Sequence, residues 1–433
     1  MTIEEIYHLY ASCDFQVCTD TRKPAPGSLF ICLQGASFDA NQFARLALEA
    51  GCAYALASDI SVCDGLRVFY VPDTLRALQN LALHHRLQMK AKVIGIGGSN
   101  GKTTTKELTA VVLSQRYKTI ATQGNLNNHI GVPLTLLRIR PDTEMAVVEL
   151  GTNHPGEIEV LCRIARPDAG IITNIGKEHL EGFGSLEGVA REESELYRFL
   201  QINEGIAFVN ADDHWLLRMS SRLKHVVHYG FEAANVQPLV RVLHFFPSLK
   251  VELAFSDRML QLESSLAGNH NLSNLLAALC IGMHYGVDAA QAADAIASYQ
   301  PANNRSQWLQ TENNLLWLDA YNANPSSMEA ALRSFARWDH PRKVVMLGDM
   351  FELGAVAEEE HQHIINLALE LGFNQVFLAG ELFHQLTHNH AGIKSFLNSM
   401  QLQTYLKEHP ILDSAILIKG SRGVMMERVA DVL

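Results

Sequence analysis

Short apolar runs recur along the chain, each of strand length and each followed by glycine or polar residues. Residues 93–96, 145–150, 170–173 and 207–210 are runs of this kind. Between them lie longer stretches with apolar residues three and four apart, such as Leu108, Val111 and Val112. Apolar strands alternating with helical periodicity predict a mostly parallel sheet covered on both faces. The first ninety residues predict a smaller unit, with strand-like runs at 29–33, 54–57 and 68–71 and helix-like stretches at 41–50 and 75–89. The basic segment 84–92 reads as a hinge into the next unit. A β-rich excursion is expected over 226–263, a helix over 271–284 and a boundary near 301–305. A second α/β rhythm follows, with strands at 315–319, 343–347, 376–379 and 415–419.

The expectation is therefore an α/β protein of three domains. Residues 1–90 form a small N-terminal α/β domain. Residues 91–303 form a central domain with a P-loop-type, mostly parallel sheet flanked by helices. Residues 304–433 form a C-terminal Rossmann-like α/β domain. A length of 433 residues agrees, at roughly 100–200 residues per domain.

Composition narrows the classes. An apolar fraction of 48% with 19% charged residues is that of a globular chain. A net charge of −11 argues against nucleic acid as a partner, although one local pocket can still be cationic. The seven cysteines include no C-x-x-C pair, which argues for a reducing compartment over a disulfide framework or a thiolate zinc site. The N-terminus lacks the basic and then apolar pattern of a signal peptide, and no window reaches 18 apolar residues. A cytoplasmic protein without a membrane partner is expected.

The strongest chemical signal is Gly95-Ile96-Gly97-Gly98-Ser99-Asn100-Gly101-Lys102-Thr103-Thr104, between a strand and a helix. Glycines let backbone N–H groups wrap a phosphate, and a helix N-terminus adds partial positive charge. Lys102 brings a full charge to the outer phosphates, and Thr103 is placed to hold Mg²⁺. The strict Walker pattern fails at Ile96, where its first glycine belongs. The loop by itself predicts only a nucleotide. Glu149 ends the next apolar strand, at the edge of the sheet where ligands bind. His179 follows a further strand, in Thr173-Asn174-Ile175-Gly176-Lys177-Glu178-His179-Leu180, and suggests a metal or phosphate role. Glu193 falls inside the apolar stripe Leu186, Val189, Ala190, Leu196, Tyr197 and Leu200. A carboxylate on a buried face needs a partner, usually a cation.

Together these residues resemble the Mur ligase family, which shares the G-x-x-G-x-x-G-K-T-T loop, the strand ending in Glu and the Asn-Ile-Gly-x-x-His segment. It also shares a stretch like His270-Asn271-Leu272-Ser273-Asn274. The resemblance covers nearly the whole chain. Four stretches resemble the branch that joins D-alanyl-D-alanine to UDP-N-acetylmuramoyl-tripeptide. They are Asp20-Thr21-Arg22 with Gly27-Ser28-Leu29-Phe30, Tyr321-Asn322-Ala323-Asn324-Pro325, Leu347-Gly348-Asp349-Met350-Phe351-Glu352-Leu353-Gly354 and Lys419-Gly420-Ser421-Arg422-Gly423.

The resemblance implies ATP-dependent formation of a peptide bond through an acyl phosphate, with ATP and Mg²⁺, in peptidoglycan precursor synthesis. It implies a monomer. It implies that Gly98, Ser99, Asn100, Gly101, Lys102, Thr103 and Thr104 hold ATP phosphates, with Asn271 and Asn274 at the adenine. Arg305 and Asp319 would reach the γ-phosphate and ribose. Lys102, Glu149, His179 and Glu193 would be catalytic, and Thr103, Glu149, His179 and Glu193 would bind metal. Thr21 and Arg22 would meet the UDP end of the substrate. Asn127 and Asn128 would face the edge between nucleotide and muropeptide, and Tyr321, Asn322 and Asn324 would meet substrate. Glu193 stands where most members carry a carbamylated lysine, so it would supply that negative charge directly. Leu318 stands where many relatives have an acidic residue. Two alternatives stay open: another amide ligase of the superfamily, such as a folylpolyglutamate synthase-like enzyme, and a non-catalytic nucleotide-binding protein.

Overall fold

The structure is a computed structural model that describes residues 1–433 apart from 36, 234–235, 302–303 and 388–391. The expected boundary near 301–305 therefore lies partly outside the described residues.

The chain opens with helix Ile3–Ser12. Thr2 caps it, accepting from the Glu5 N–H while the Glu5 side chain returns to the Thr2 N–H. A four-stranded parallel sheet follows, in the order Val17–Cys18, Leu29–Ile31, Tyr54–Ala57 and Val68–Tyr70. The expected helix 41–50 is split into a 3₁₀ turn, Ala40–Phe43, and an α-helix, Ala44–Glu49. Asp39 accepts from the Asn41 N–H and tightens that first turn.

Helix Thr74–Gln88 corrects the reading of 84–92 as a hinge. Its last turn is packed down, with His85 and Arg86 both buried. Arg86 donates to the Ala165 and Arg166 carbonyls and pairs with Asp168 at 2.8 Å. The charges that read as a hinge anchor the helix to the next sheet.

That sheet has six strands, all parallel, in the order His225–Tyr229, Ile206–Asn210, Ala169–Ile172, Lys92–Gly97, Met145–Glu149, Thr119–Ala121. Lys92–Gly97 is central. The chain leaves it toward one edge and later returns on its other side, at Ala169–Ile172. The direction of winding therefore reverses here, and such a switch point opens a crevice at the C-terminal ends of the strands. Helices Lys102–Leu113 and His270–His284 pack together beside the sheet, close enough that a Cβ at Gly282 would meet Val112 at 2.2 Å. The expected β-rich excursion divides in two. Its first strand joins the parallel sheet as an edge, and Leu239–His244, Leu249–Ala254 and Met259–Ser264 form a separate antiparallel sheet.

The last sheet runs Gln307–Gln310, Asn314–Asp319, Ser414–Lys419, Lys343–Gly348, Gln375–Ala379, Ile393–Phe396. Its first pair is antiparallel and the rest are parallel. The edge strand Gln307–Gln310 was not expected, because Gln-Trp-Leu-Gln shows no alternation of apolar and polar residues. No helix among the described residues is long and apolar enough to cross a membrane.

Candidate functional site

The loop after Lys92–Gly97 is stitched to the loop after Ala169–Ile172. The Ser99 N–H donates to the Asn174 carbonyl at 2.9 Å, the Gly176 N–H donates to Ser99 Oγ at 2.8 Å, and Thr173 Oγ1 donates to the Asn100 carbonyl at 2.7 Å. Gly98 has φ +108°, and a Cβ there would lie 2.3 Å from Thr173 Oγ1, so only glycine fits. Gly101, at φ +80°, opens helix Lys102–Leu113 with no side-chain cap. The first N–H groups of that helix are thus left for an anion.

Lys102 Nζ contacts the Gly98 carbonyl, the Ser99 carbonyl at 3.3 Å and Glu178 Oε2 at 3.3 Å. Burial opposes its charge, but Glu178, Glu193 and Glu149 outweigh that and hold its pKa above the usual lysine value. Glu149, buried at the end of its strand, accepts from Thr103 Oγ1 at 3.1 Å and Asn127 Nδ2 at 2.9 Å through Oε1. Its Oε2 has no hydrogen-bond partner among the described residues, and Lys106 Nζ lies 3.9 Å away. Thr103, Glu149 and Asn127 are thus brought together. Asn128 also lines the cavity, but its Oδ1 accepts from the Ile130 and Gly131 N–H groups and fixes the next turn.

His179 has a left-handed backbone, φ 45°. Its Nδ1 lies 2.5 Å from Glu352 Oε2, and its Nε2 lies 3.9 Å from Glu178 Oε2. Glu193 is fully buried. The Gly98 backbone N–H donates to its Oε2 at 2.6 Å, the charge of Lys102 acts on it, and its Oε1 has no hydrogen-bond partner among the described residues. Glu193 does not line the cavity with Thr103, Glu149 and His179. Burial pushes its pKa up to about 8.

The far wall comes from helix His270–His284 and the last sheet. Thr105 Oγ1 donates to Asn274 Oδ1 at 3.1 Å, Asn274 Nδ2 donates to Asn271 Oδ1 at 3.0 Å, and Asn271 Nδ2 donates to the Ala267 carbonyl at 2.7 Å. Asp319 Oδ1 accepts from the Ser306 N–H at 3.0 Å, while Oδ2 pairs with Lys419 at 2.5 Å. Leu318 turns into the core of that sheet. The Arg305 guanidinium sits 3.6 Å over the Tyr321 ring, a cation–π contact that fixes both. Lys419 also donates to the Asn322 carbonyl at 3.4 Å. Asn324 caps helix Pro325–Ala336 and donates to Asn100 Oδ1 at 2.9 Å, joining that helix to the loop.

These residues enclose a cavity of about 680 Å³. Ser99 to Thr104, Asn127, Asn128, Glu149, His179, Asn271, Asn274, Arg305, Asp319, Tyr321, Asn322 and Asn324 all line it. Thr21 and Arg22 do not. They follow strand Val17–Cys18, where Arg22 is exposed and pairs with Asp20 at 2.8 Å. Sequence reasoning missed Glu178, Glu352, His270 and Lys106 as site residues. The first three line the cavity, and Lys106 backs Glu149. Glu178 stood beside His179 in a polar string, which was a usable signal. Lys106 lies in the first turns of a helix, where the sequence carries no signal that it would be buried.

No three His, Cys, Asp or Glu side chains form a ready metal cluster among the described residues. Two buried carboxylate oxygens that lack partners, Glu149 Oε2 and Glu178 Oε1, nevertheless belong to residues that line the cavity. Mg²⁺ is commonly held by one or two carboxylates with phosphates and waters completing its shell. The residues present fit such an ion.

Residues 96–282 match the family described as Mur ligase middle domain, and residues 304–422 match Mur ligase, glutamate ligase domain. The chain is 38% identical to UDP-N-acetylmuramoyl-tripeptide–D-alanyl-D-alanine ligase of Escherichia coli, covering 96% of this chain and 93% of that protein. It is 35% identical to the Bacillus subtilis protein of the same name, covering 95% and 92%. Among solved structures, MurF from Acinetobacter baumannii superimposes with a TM-score of 0.86 at 31% identity, covering 96% of this chain and 92% of that one. MurF ligase from Thermotoga maritima in complex with ADP gives 0.85 at 25% identity, covering 96% of each chain. By sequence along nearly its whole length, and by fold, this chain belongs to the Mur ligase family.

Proposed function

We propose that this protein joins D-alanyl-D-alanine to UDP-N-acetylmuramoyl-tripeptide at the expense of ATP, in peptidoglycan precursor synthesis. The observation that carries the reading is the single cavity walled on one side by the phosphate loop and on the other by the last sheet, with Lys102, Glu149, His179 and Asp319 all at its surface. The names of the relatives support the choice of substrates.

A carboxylate cannot be displaced by an amine until its oxygen becomes a good leaving group. The tripeptide's terminal carboxylate attacks the γ-phosphorus, and ADP leaves with the bridging oxygen. The amine of D-alanyl-D-alanine then attacks the acyl phosphate, inorganic phosphate leaves and the amine proton is lost. The protein's part is positioning and charge neutralisation. The loop N–H groups and Lys102 take the phosphates. Asn271 and Asn274 form a polar wall suited to the adenine, and Arg305, fixed on Tyr321, faces the nucleotide together with Asp319. Mg²⁺, held by Thr103, Glu149 and His179, would offset charge between phosphate and carboxylate. Glu193 has its role behind the loop, acting through the Gly98 N–H.

Residues 1–90 are assigned to the UDP end, with Thr21 and Arg22 at its contact. Residues 91–303 hold ATP, and residues 304–433 close over the dipeptide with Tyr321, Asn322 and Asn324. The same reading makes the protein a cytoplasmic monomer. Phosphate release measured with each substrate alone and with both tests it. Release that needs both, with a pentapeptide product by mass, is expected. No release with either a diaminopimelate- or a lysine-containing tripeptide would overturn the substrate assignment.

A further inference from the structure

Glu178 follows strand Ala169–Ile172 and lines the cavity with only 5% of its side chain exposed. Its Oε2 lies 3.3 Å from Lys102 Nζ and 3.9 Å from His179 Nε2. Its Oε1 is buried with no hydrogen-bond partner among the described residues. A buried ionised carboxylate is stabilised only when paired and fully hydrogen-bonded, and here half of it is not.

Lys102 is engaged with Glu178 and with two carbonyls of its own loop. To meet the outer phosphates of ATP it must leave Glu178. That exchange would strand a charged carboxylate in the same cavity as a polyphosphate of like sign. Close like charges out of water repel strongly unless a cation lies between them. Among the residues that line the cavity, the other carboxylate oxygen in this condition is Glu149 Oε2. Glu193 Oε1 is also buried without a partner, but its Oε2 is taken by the Gly98 N–H and the side chain does not line the cavity that the nucleotide would enter.

We propose that Glu178 is a ligand, directly or through one water, for a divalent cation that enters with the nucleotide, and that Lys102 passes from Glu178 to the phosphates as the cation arrives. This rests on the ATP reading above. It names Glu178, and not Glu193, as the additional carboxylate that the cation meets.

The test uses the full-length protein with ADP, and Mn²⁺ as the probe, followed by the electron paramagnetic resonance of free Mn²⁺. ADP binding without metal is measured alongside by calorimetry. Glu178→Gln is expected to weaken Mn²⁺ binding in the ADP complex by about tenfold or more, the scale on which metal sites respond to loss of a coordinating-shell group. Metal-free ADP binding should be unchanged or tighter, since a negative charge is gone and Lys102 is released. Glu178→Asp, which keeps the charge, should retain most of the Mn²⁺ affinity and guards against a Gln variant that fails to fold. Mn²⁺ affinity unchanged in Glu178→Gln overturns the proposal, as does loss of affinity in Glu193→Gln with Glu178→Gln unaffected. Equal weakening of ADP with and without metal also overturns it, by making Glu178 only a support for Lys102. Failure of the wild-type protein to bind ADP under any condition overturns the ATP reading itself, and is distinct from all of these.

Discussion

Lys102 is the side chain on which the nucleotide chemistry turns. It is buried among three carboxylates, and they keep it charged against the cost of burial. Lys102→Met keeps most of the length of the side chain, one atom short, and removes the charge. It should lower kcat/KM by roughly 10²–10³, the loss seen when one pre-organised donor is removed from a transition state, while circular dichroism stays unchanged. His270 gives a pH signature at the same scale. Burial pulls its pKa down to about 4, against about 6.5 for the unfolded side chain. Between these values the unfolded state binds the extra proton, so the contribution is complete above about pH 6.5 and is lost as pH falls toward 4. The linked stability is at most about 3 kcal/mol, and less to the degree that its cavity-facing edge meets water. Denaturant unfolding at pH 5 and pH 7 should show a smaller difference between the two in His270→Gln than in the wild type.

At the scale of elements, two adjacent glutamates on one helix hold two different turns. Glu193 supports the phosphate loop through the Gly98 N–H. Glu192 accepts from the Gly156 and Ile158 N–H groups, both at 2.7 Å. It so caps helix Glu157–Ala165, whose own N-cap is a glycine with no side chain to offer. Glu192→Ala leaves the buried Ile158 N–H without an acceptor, while the exposed Gly156 N–H can turn to water. It should cost about 1–3 kcal/mol in urea unfolding and loosen the turn that carries Thr152 and Asn153 to the cavity wall. Much at this scale was legible from the chain. The strands around the loop, Glu149 at a strand end and the stripe that buries Glu193 follow from periodicity and strand direction alone. What was not legible is what tertiary packing decides. Lys106 and Glu178 are charged residues whose burial follows from tertiary packing and not from local pattern. Arg86 misled in the same way, because a basic helix end is the same string whether it meets water or Asp168. Gln307–Gln310 has no pattern of its own and exists as a strand because Asn314–Asp319 offers it an edge.

At the scale of the molecule, the site exists only where two sheets meet. Asn324 donates to Asn100, the Lys177 N–H donates to Ser326 Oγ at 2.8 Å, Lys177 Nζ pairs with Glu360 at 2.6 Å, and Glu352 meets His179. These contacts bring the phosphate loop and the loops of the last sheet to one cavity. They make sense of a chemistry in which an activated carboxylate must meet an amine before it meets water. The measurement that tests this most directly is isotope transfer from the carboxylate. UDP-N-acetylmuramoyl-tripeptide labelled with ¹⁸O in its terminal carboxylate is turned over with ATP and D-alanyl-D-alanine, and the phosphate is examined by mass. The account predicts that each phosphate released carries one oxygen from the carboxylate, because that oxygen attacks phosphorus and leaves with it. Phosphate free of the label, with pentapeptide still formed, would contradict an acyl phosphate and with it the role given to this cavity.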